Sequence, residues 1–147
     1  MKSIINNGGR ITIGSDGLLM WQDTFTRLEG AITRKDSSMD EATLALNEAI
    51  DLPSAIKALT INSAYIMNME NQVGSLEVGK YSDIIILNQN LFEITVAQIH
   101  WTEVLNTIVA AKVVFDVSSD PILEKEIEAK YGVDLDFSGG QGHPGCD

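Results

Sequence analysis

Histidine and cysteine, two of the side chains that bind zinc, are few in this sequence. The chain has two histidines, His100 and His143, and one cysteine, Cys146. His143 and Cys146 stand in a glycine-rich tail, where they could bind a metal together, but a solvated tail is the simpler interpretation. Asp16 ends the run Gly14-Ser15-Asp16, and its carboxylate could either cap the following turn or bind a cation. These residues alone do not complete a catalytic zinc site, which takes three protein ligands and a water.

The composition excludes several classes of function. The formal net charge of −11 over 147 residues argues against nucleic acid, whose phosphates select basic surfaces, and against an anionic membrane surface. A single cysteine excludes an internal disulfide framework. The sequence has no apolar run of about 20 residues that could span a membrane. It also has no signal-peptide pattern, and we therefore expect a cytoplasmic protein.

The elements that must position Asp16 lie in the first half of the chain. Alternation around Ile11 and Ile13 predicts a strand over residues 10–16 that ends at Asp16. Asp23 can cap a following helix of about ten residues. The apolar side chains of that helix share one face: Phe25, Leu28 and Ile32.

Two further helices are predicted before residue 72. Ser38 and Glu41 have capping-box spacing and precede a strongly amphipathic run at Ala42, Ala45, Leu46, Ala49 and Ile50. Asp51 caps the next helix, with Pro53 in its first turn, where the missing amide has no helical partner. Its buried face is predicted to comprise Leu52, Ala55, Ile56, Leu59 and Ser63.

After Gly74 the pattern is typical of strands. The apolar run 84–87 predicts a strand buried on both faces. Residues 104–109 and 112–116 predict two strands joined at Ala110-Ala111, a poor turn sequence because tight hairpins need positive φ; we expect a longer, bulged or strained turn. Residues 91–101 are predicted to be loop with a short helix, and Asp120-Pro121 opens a last helix that ends at Gly132.

Four motifs then occur in a characteristic order. They are Gly14-Ser15-Asp16, Ala31-Ile32-Thr33-Arg34, Thr60-Ile61-Asn62-Ser63-Ala64-Tyr65, and Gly74-Ser75-Leu76-Glu77-Val78-Gly79-Lys80 with its following strand and hairpin. From about Gly8 to Asp116 the chain resembles the C-terminal third of an amidohydrolase-superfamily enzyme, of the type that includes N-substituted formamide deformylases.

The resemblance implies an α/β fold. It implies that residues 1–72 hold the last βα unit of a (β/α)8 TIM barrel and the helices after it. Residues 73–117 would be the C-terminal strands of a composite β-sandwich, and residues 118–147 a terminal helix and a glycine-rich tail. It also implies that Asp16 binds a divalent metal, usually zinc, and accepts a proton from water during hydrolysis of a carbon–nitrogen bond in a small amide-type substrate.

Most of the family's metal ligands have no counterpart in this sequence. The family's His-x-His pair and its two later histidines are missing, and His100 is interpreted as a surface or interface residue beside Trp101. We therefore expect a fragment of a metal-dependent hydrolase that is inactive alone. A single barrel strand would expose both edges, so we expect self-association or complementation by the missing part of the barrel. The alternative is a non-catalytic module for assembly or small-ligand binding.

Overall fold

The computed structural model describes residues 1–14, 23–35 and 44–120, together with Lys125 and Ala129. Within these residues, four helices lie before the strands: α1 (Lys2–Asn6), α2 (Thr24–Thr33), α3 (Leu52–Leu59) and α4 (Ile61–Ile66). Three strands follow in the same described part: β1 (Ile84–Leu87), β2 (Val104–Val109) and β3 (Lys112–Asp116). Short 3-10 helices cover Leu46–Glu48, Val96–Trp101 and Val117–Ser119. Helices and strands are both present, as expected, while the assignment to a barrel and a sandwich stays a prediction.

Both predicted aspartate caps are confirmed. The Asp23 carboxylate accepts a hydrogen bond from the Thr26 amide at 2.7 Å, and α2 begins at the next residue, Thr24. The Asp51 carboxylate accepts from the Ser54 amide at 2.8 Å at the start of α3. Hydrogen bonds from the Ser54 side chain and backbone hold the pKa of Asp51 below its ordinary value. Each carboxylate therefore satisfies an amide that has no partner within its helix.

The core lies where α2 packs against the start of α3 and the 3-10 helix Val96–Trp101. Leu28 is 1% exposed and Ala55 is fully buried. The buried cluster consists of Phe25, Leu28, Ala31, Ile50, Ala55 and Ile99. The helical region thus has a continuous apolar interior.

The helix predicted over residues 38–50 is wrong in the part that the structure describes. Residues 36–43 lie outside the described residues, and after them only Leu46–Glu48 forms a helical turn. Ala45 has a φ of 50°, which breaks the helical path, and Leu46 is 64% exposed instead of buried. Ile50 is nevertheless buried, because its side chain packs in the core cluster with α2. Its amide donates to the Ala31 carbonyl of α2 at 3.3 Å.

The helix predicted from Asp51 through Ser63 is interrupted. Thr60, with φ −117° and ψ −97°, separates α3 from α4. The Thr60 hydroxyl donates to the Ile56 carbonyl at 2.8 Å, which provides a side-chain partner at the helix end. Ser63 consequently belongs to α4, where its hydroxyl donates to the Ala58 carbonyl across the break.

The strands form one antiparallel sheet in the order β1-β2-β3. β1 is confirmed as a strand, but the prediction that it is buried on both faces is wrong. Among the described residues it lies at an edge of the sheet, and Ile85 and Ile86 are 51% and 45% exposed. The pairing leaves Leu105 of β2 without an opposite residue on β1, and Val114 of β3 without one on β2. The apolar run predicted the strand but not how far its side chains are buried, because hydrophobic periodicity does not reveal which elements pack against a strand.

The hairpin between β2 and β3 has the strained turn expected from its sequence. Ala110 and Ala111 have φ values of 48° and 63°, a region that costs an L-residue about 1–2 kcal/mol each. The Asp83 carboxylate accepts the Ala110 N–H at 2.9 Å, and the Ser82 carbonyl accepts the Ala111 N–H at 3.2 Å. Two residues just before β1 therefore hold the turn in place.

Two remaining predictions concern residues 91–101, before β2, and the residues after Asp120. A short helix within residues 91–101 is confirmed as Val96–Trp101, whose Thr95 and Gln98 form a capping box. The helix predicted to end at Gly132 and the tail with His143 and Cys146 lie outside the described residues, apart from Lys125 and Ala129, which are helical. None of the helices in the described ranges has both the length and the apolar character needed to cross a membrane.

Candidate functional site

The candidate catalytic and metal-binding residue, Asp16, lies outside the described residues. The segment that leads to it is described as far as Gly14. The Asn62 side-chain amide donates to the Ile11 carbonyl at 3.0 Å, and the Ile13 amide donates to the Ala58 carbonyl at 3.4 Å. Helices α3 and α4 therefore fix the segment as far as Ile13, three residues before Asp16.

The described part of the predicted strand, residues 10–14, is not a strand. Its bonds go to a helix-end carbonyl and to an asparagine side chain, whereas a strand requires a neighbouring strand. Ile11 and Ile13 still pack against the core, as their alternation indicated. Sequence alternation thus identified the inward side chains but not the hydrogen-bond partners.

His100 is held by a carboxylate from α2. Glu29 Oε2 lies 2.7 Å from His100 Nδ1 and accepts the His100 backbone N–H at 3.0 Å. The Trp101 ring lies edge-on to the imidazole, with ring centroids 5.0 Å apart. The sequence places His100 beside Trp101, but it gives no signal that Glu29 contacts His100, because the two residues are 71 positions apart along the chain. The contact joins α2 to the 3-10 helix Val96–Trp101.

The Gly74–Gly79 turn carries a polar cluster whose members are bonded to one another. The Ser75 hydroxyl donates to Glu77 Oε1 at 2.6 Å and accepts from the Lys80 ammonium at 2.5 Å. These contacts, led by the Ser75 hydrogen bond, hold the pKa of Glu77 below its ordinary value. Gly74 and Gly79 have φ values of 89° and 95°, so they supply the turns that the sequence predicted. The cluster stabilises the turn, and its serine is already bonded on both sides.

The described residues do not bring a set of metal ligands together. No group of three or more His, Cys, Asp or Glu side chains comes together within residues 1–14, 23–35 and 44–120. Glu70 has a buried carboxylate oxygen, Oε2, without a hydrogen-bond partner in this part of the chain, but one carboxylate does not meet the coordination needs of zinc. The described residues by themselves do not fit a catalytic metal.

In the part of the chain that the structure describes, open clefts adjoin the sheet on two sides. One, of about 450 Å³, lies between the start of α2 and the strands and is lined by Asp23, Phe25, Ile85, Glu103 and Phe115 among others. The second, of about 510 Å³, lies between α3–α4 and the start of β1. Its polar lining groups are internally bonded, as shown by Thr60, Ser75 and Asp83. The second cleft therefore offers mainly apolar contacts.

Comparison with known families gives a match over most of the chain. The model described as "Amidohydrolase family" matches residues 1–115. This range contains all four motifs on which the resemblance depends, and it ends within β3.

Curated relatives match the same chain over a small part of their own lengths. YtcJ of Bacillus subtilis strain 168, assigned by name to the amidohydrolases, is 31% identical over 119 residues, which are 80% of this chain and 22% of YtcJ. The imidazolonepropionase of Bdellovibrio bacteriovorus is 44% identical over 45 residues, 31% of this chain and 11% of that protein. The 5-methylthioadenosine/S-adenosylhomocysteine deaminase of Teredinibacter turnerae is 33% identical over 90 residues, 60% of this chain and 19% of that protein. The chain spans about a fifth or less of the length of these three curated relatives.

A solved structure of an amidohydrolase from Thermotoga maritima MSB8 also matches. It has 18% identity and a TM-score of 0.43, covering 78% of this chain and 33% of that one.

Proposed function

This chain belongs to the amidohydrolase family, and from this premise we propose that it is the C-terminal part of a metal-dependent hydrolase acting on non-peptide carbon–nitrogen bonds. The observation that carries the proposal is the family match over residues 1–115, together with relatives several times longer than the chain. The named relatives include a deaminase and an imidazolonepropionase. We further propose that the substrate is a small amide-type molecule, such as an N-substituted formamide.

In this proposal Asp16 is a metal ligand and the acceptor of a proton from water. A divalent metal, with zinc the first candidate, would activate water for attack on a carbonyl carbon when bound. The described residues contribute the anchored approach to Asp16 through Ile11 and Ile13. The remaining ligands come from outside the described residues, since these contain no group of three metal-binding side chains.

The isolated chain is proposed to be inactive and to need the rest of a barrel. One carboxylate leaves a zinc ion short of the three protein ligands that a catalytic site uses. Complementation by a polypeptide that carries the other ligands would restore the site. The cytoplasm remains the expected location.

A chimera provides the test. This chain replaces the segment of YtcJ that it matches, and zinc content and hydrolysis of N-benzylformamide are measured. We expect Asp16→Asn to lower bound zinc and turnover at least about tenfold, because removal of a direct ligand costs no less than removal of a supporting one. Asp23→Asn is the matched control, since asparagine is an equally good helix cap.

Two results would contradict the proposal. One is a chimera with Asp16→Asn that keeps its metal and its turnover. The other is the isolated chain binding stoichiometric zinc and hydrolysing the formamide, which would show that the site is complete without other ligands.

The second candidate is a non-catalytic module for assembly or small-ligand binding. The two clefts beside the sheet favour it, because each lies in the size range of ligand sites. A chimera without metal or turnover, together with saturable ligand binding by the isolated chain, would select this candidate.

A further inference from the structure

Helix α4 contacts the segment that leads to Asp16 through two side chains of one face. Asn62 and Tyr65 lie one helical turn apart, so their side chains are neighbours on the helix surface. The Asn62 side-chain amide donates to the Ile11 carbonyl at 3.0 Å, and the Arg10 guanidinium carbon lies 3.8 Å from the centre of the Tyr65 ring. α4 therefore holds this segment at two consecutive residues.

The other side of α4 packs against the Gly74 turn. Ala64 lies about 200° around the helix from Asn62, and it faces this turn. A β-carbon added to Gly74 would lie 2.7 Å from the Ala64 β-carbon and 3.0 Å from the Ile61 α-carbon, so the turn and the helix are in direct contact. Because α4 is held from behind, its opposite face provides a fixed support for residues 10–13.

The segment is also bonded to α3, but by a longer hydrogen bond. The Ile13 amide donates to the Ala58 carbonyl at 3.4 Å, which is longer than the usual range of about 2.7–3.2 Å. The same carbonyl also accepts the Ser63 hydroxyl at 2.9 Å. The Asn62–Ile11 bond is both shorter and partly buried, so we expect it to have the larger part in fixing residues 10–13.

We infer that Asn62 is a positioning residue for Asp16, because its bond to the Ile11 carbonyl fixes the main chain immediately before that aspartate. Asp16 comes three residues after Ile13, so the restrained main chain ends within about 11 Å of the Asp16 α-carbon. Reacting groups must be held to within about 0.5 Å, and a displacement of about 1 Å can lower a rate about 100-fold. The inference rests on the role proposed above for Asp16.

The competing interpretation is that Asn62 only stabilises the fold by satisfying a partly buried carbonyl group. A general loss of stability would lower turnover whether or not Asp16 carries its carboxylate. A loss of positioning would act through that carboxylate, so it should disappear once the carboxylate is removed. A double-mutant cycle between Asn62 and Asp16 therefore separates the two interpretations.

The first experiment uses the YtcJ chimera with N-benzylformamide as substrate. Asn62→Ala should lower kcat at least about tenfold, because the aspartate would be held less precisely. In the Asp16→Asn background, the same substitution should cause no further loss. Asp51→Ala is the matched control: it also removes a side-chain hydrogen bond to the main chain, so it should lower the melting temperature by a similar amount while leaving kcat unchanged.

The second experiment uses the isolated chain and requires no turnover. In Asn62→Ala, hydrogen exchange of the Ile13 amide should be about fivefold faster, since the loss of one hydrogen bond makes local opening easier. The Ala55 amide, which donates to the Asp51 carbonyl at 3.0 Å in α3, should exchange at the wild-type rate. Asn62→Asp keeps the shape of the side chain but, when ionised, has no N–H to donate, so it should behave like Asn62→Ala.

Three results would overturn the inference. One is an unchanged exchange rate of the Ile13 amide in both Asn62 variants. Another is an unchanged kcat for Asn62→Ala in a chimera in which Asp16→Asn abolishes turnover. The third is an equal loss of kcat from Asn62→Ala with and without the Asp16 carboxylate. By contrast, full turnover of the Asp16→Asn chimera would contradict the proposed function itself, and with it the role of Asn62, whatever the exchange rates show.

Discussion

The helical region and the sheet of this chain bury their apolar side chains to very different extents. In the helical region, Leu28 and Ala55 are 1% and 0% exposed, within one continuous core. In the sheet, Leu105 of the central strand is buried, but Val113 and Val114 of β3 are each 61% exposed and Ile85 of β1 is 51% exposed. The end of the sheet at Leu87 and Val104 rests against the helical core. The comparison teaches that α2 and α3 share a closed interior, whereas the two outer strands leave apolar side chains that the described residues do not cover.

The largest expected effect is a difference in the free energy of unfolding between a variant in the helical core and a variant in the sheet. Leu28→Ala is expected to lower the free energy of unfolding by about 2–5 kcal/mol, because it leaves a cavity in the closed core. Val113→Ala should change it by no more than about 0.5 kcal/mol, because its side chain is mostly exposed. Urea unfolding of both variants measures the difference. Equal losses would mean that the sheet has a buried interior of its own.

The next effect concerns strain in the sheet. Replacing Ala110-Ala111 with Asn-Gly should raise the free energy of unfolding by about 1–2 kcal/mol, because both positions have positive φ and this dipeptide suits such turns. Thermal melting measures the gain. Gly30→Ala in α2 is the control: it should raise stability through helix propensity alone, by about 1 kcal/mol or less. A less stable Asn-Gly variant would show that the alanine methyl groups contribute to packing.

A smaller effect is expected at the helix caps. Asp51→Ala should cost about 1 kcal/mol, since the Ser54 amide loses its acceptor at the start of α3. Asp51→Asn should recover most of the loss, because its amide oxygen can accept the same bond. Urea midpoints of the three proteins provide the measurement. An Asn variant as unstable as the Ala variant would indicate that charge, not capping, is the source.

The smallest effect is a dependence on pH. Hydrogen bonds from Ser54 lower the pKa of Asp51 below its ordinary 3.8, and those from Ser118 lower that of Asp116. A lowered carboxyl pKa stabilises the fold above the unfolded-state value, and this contribution is lost as pH falls through the folded value. Melting temperature should therefore fall as pH is lowered from about 5 to 3, and less steeply in Asp51→Asn. An unchanged slope in that variant would exclude Asp51 as a source.

The sequence predicted features that depend on local chemistry. Asp23 and Asp51 were identified as caps because one side chain and one nearby amide decide the bond. The hairpin and its strain followed from two alanines at positions that need positive φ. The glycines at 74 and 79 were likewise identified as turn positions.

Features that depend on residues far apart along the chain could not be predicted from the local sequence. The helical spacing from Ala42 to Ile50 was present, but Ala45 leaves the helical path and Ile50 packs against α2 instead. The run at β1 predicted burial on both faces, because local sequence does not reveal that β1 lies at an edge. Glu29 and His100 meet through tertiary packing over 71 residues. Of the candidate site, only the approach to Asp16 is described, and the role of Asp16 stays a prediction.

The bond between Asp83 and the turn at Ala110 has a consequence for the order of folding. An Asn-Gly hairpin can nucleate from its own turn, but two alanines cannot readily do so, and their amides find acceptors 27 and 29 residues upstream. We therefore expect β2 and β3 to pair only after the chain has closed the larger loop that joins residues 82–83 to residues 110–111. A peptide containing only residues 103–117 should remain unstructured in water, and adding residues 82–102 should supply the missing nucleus.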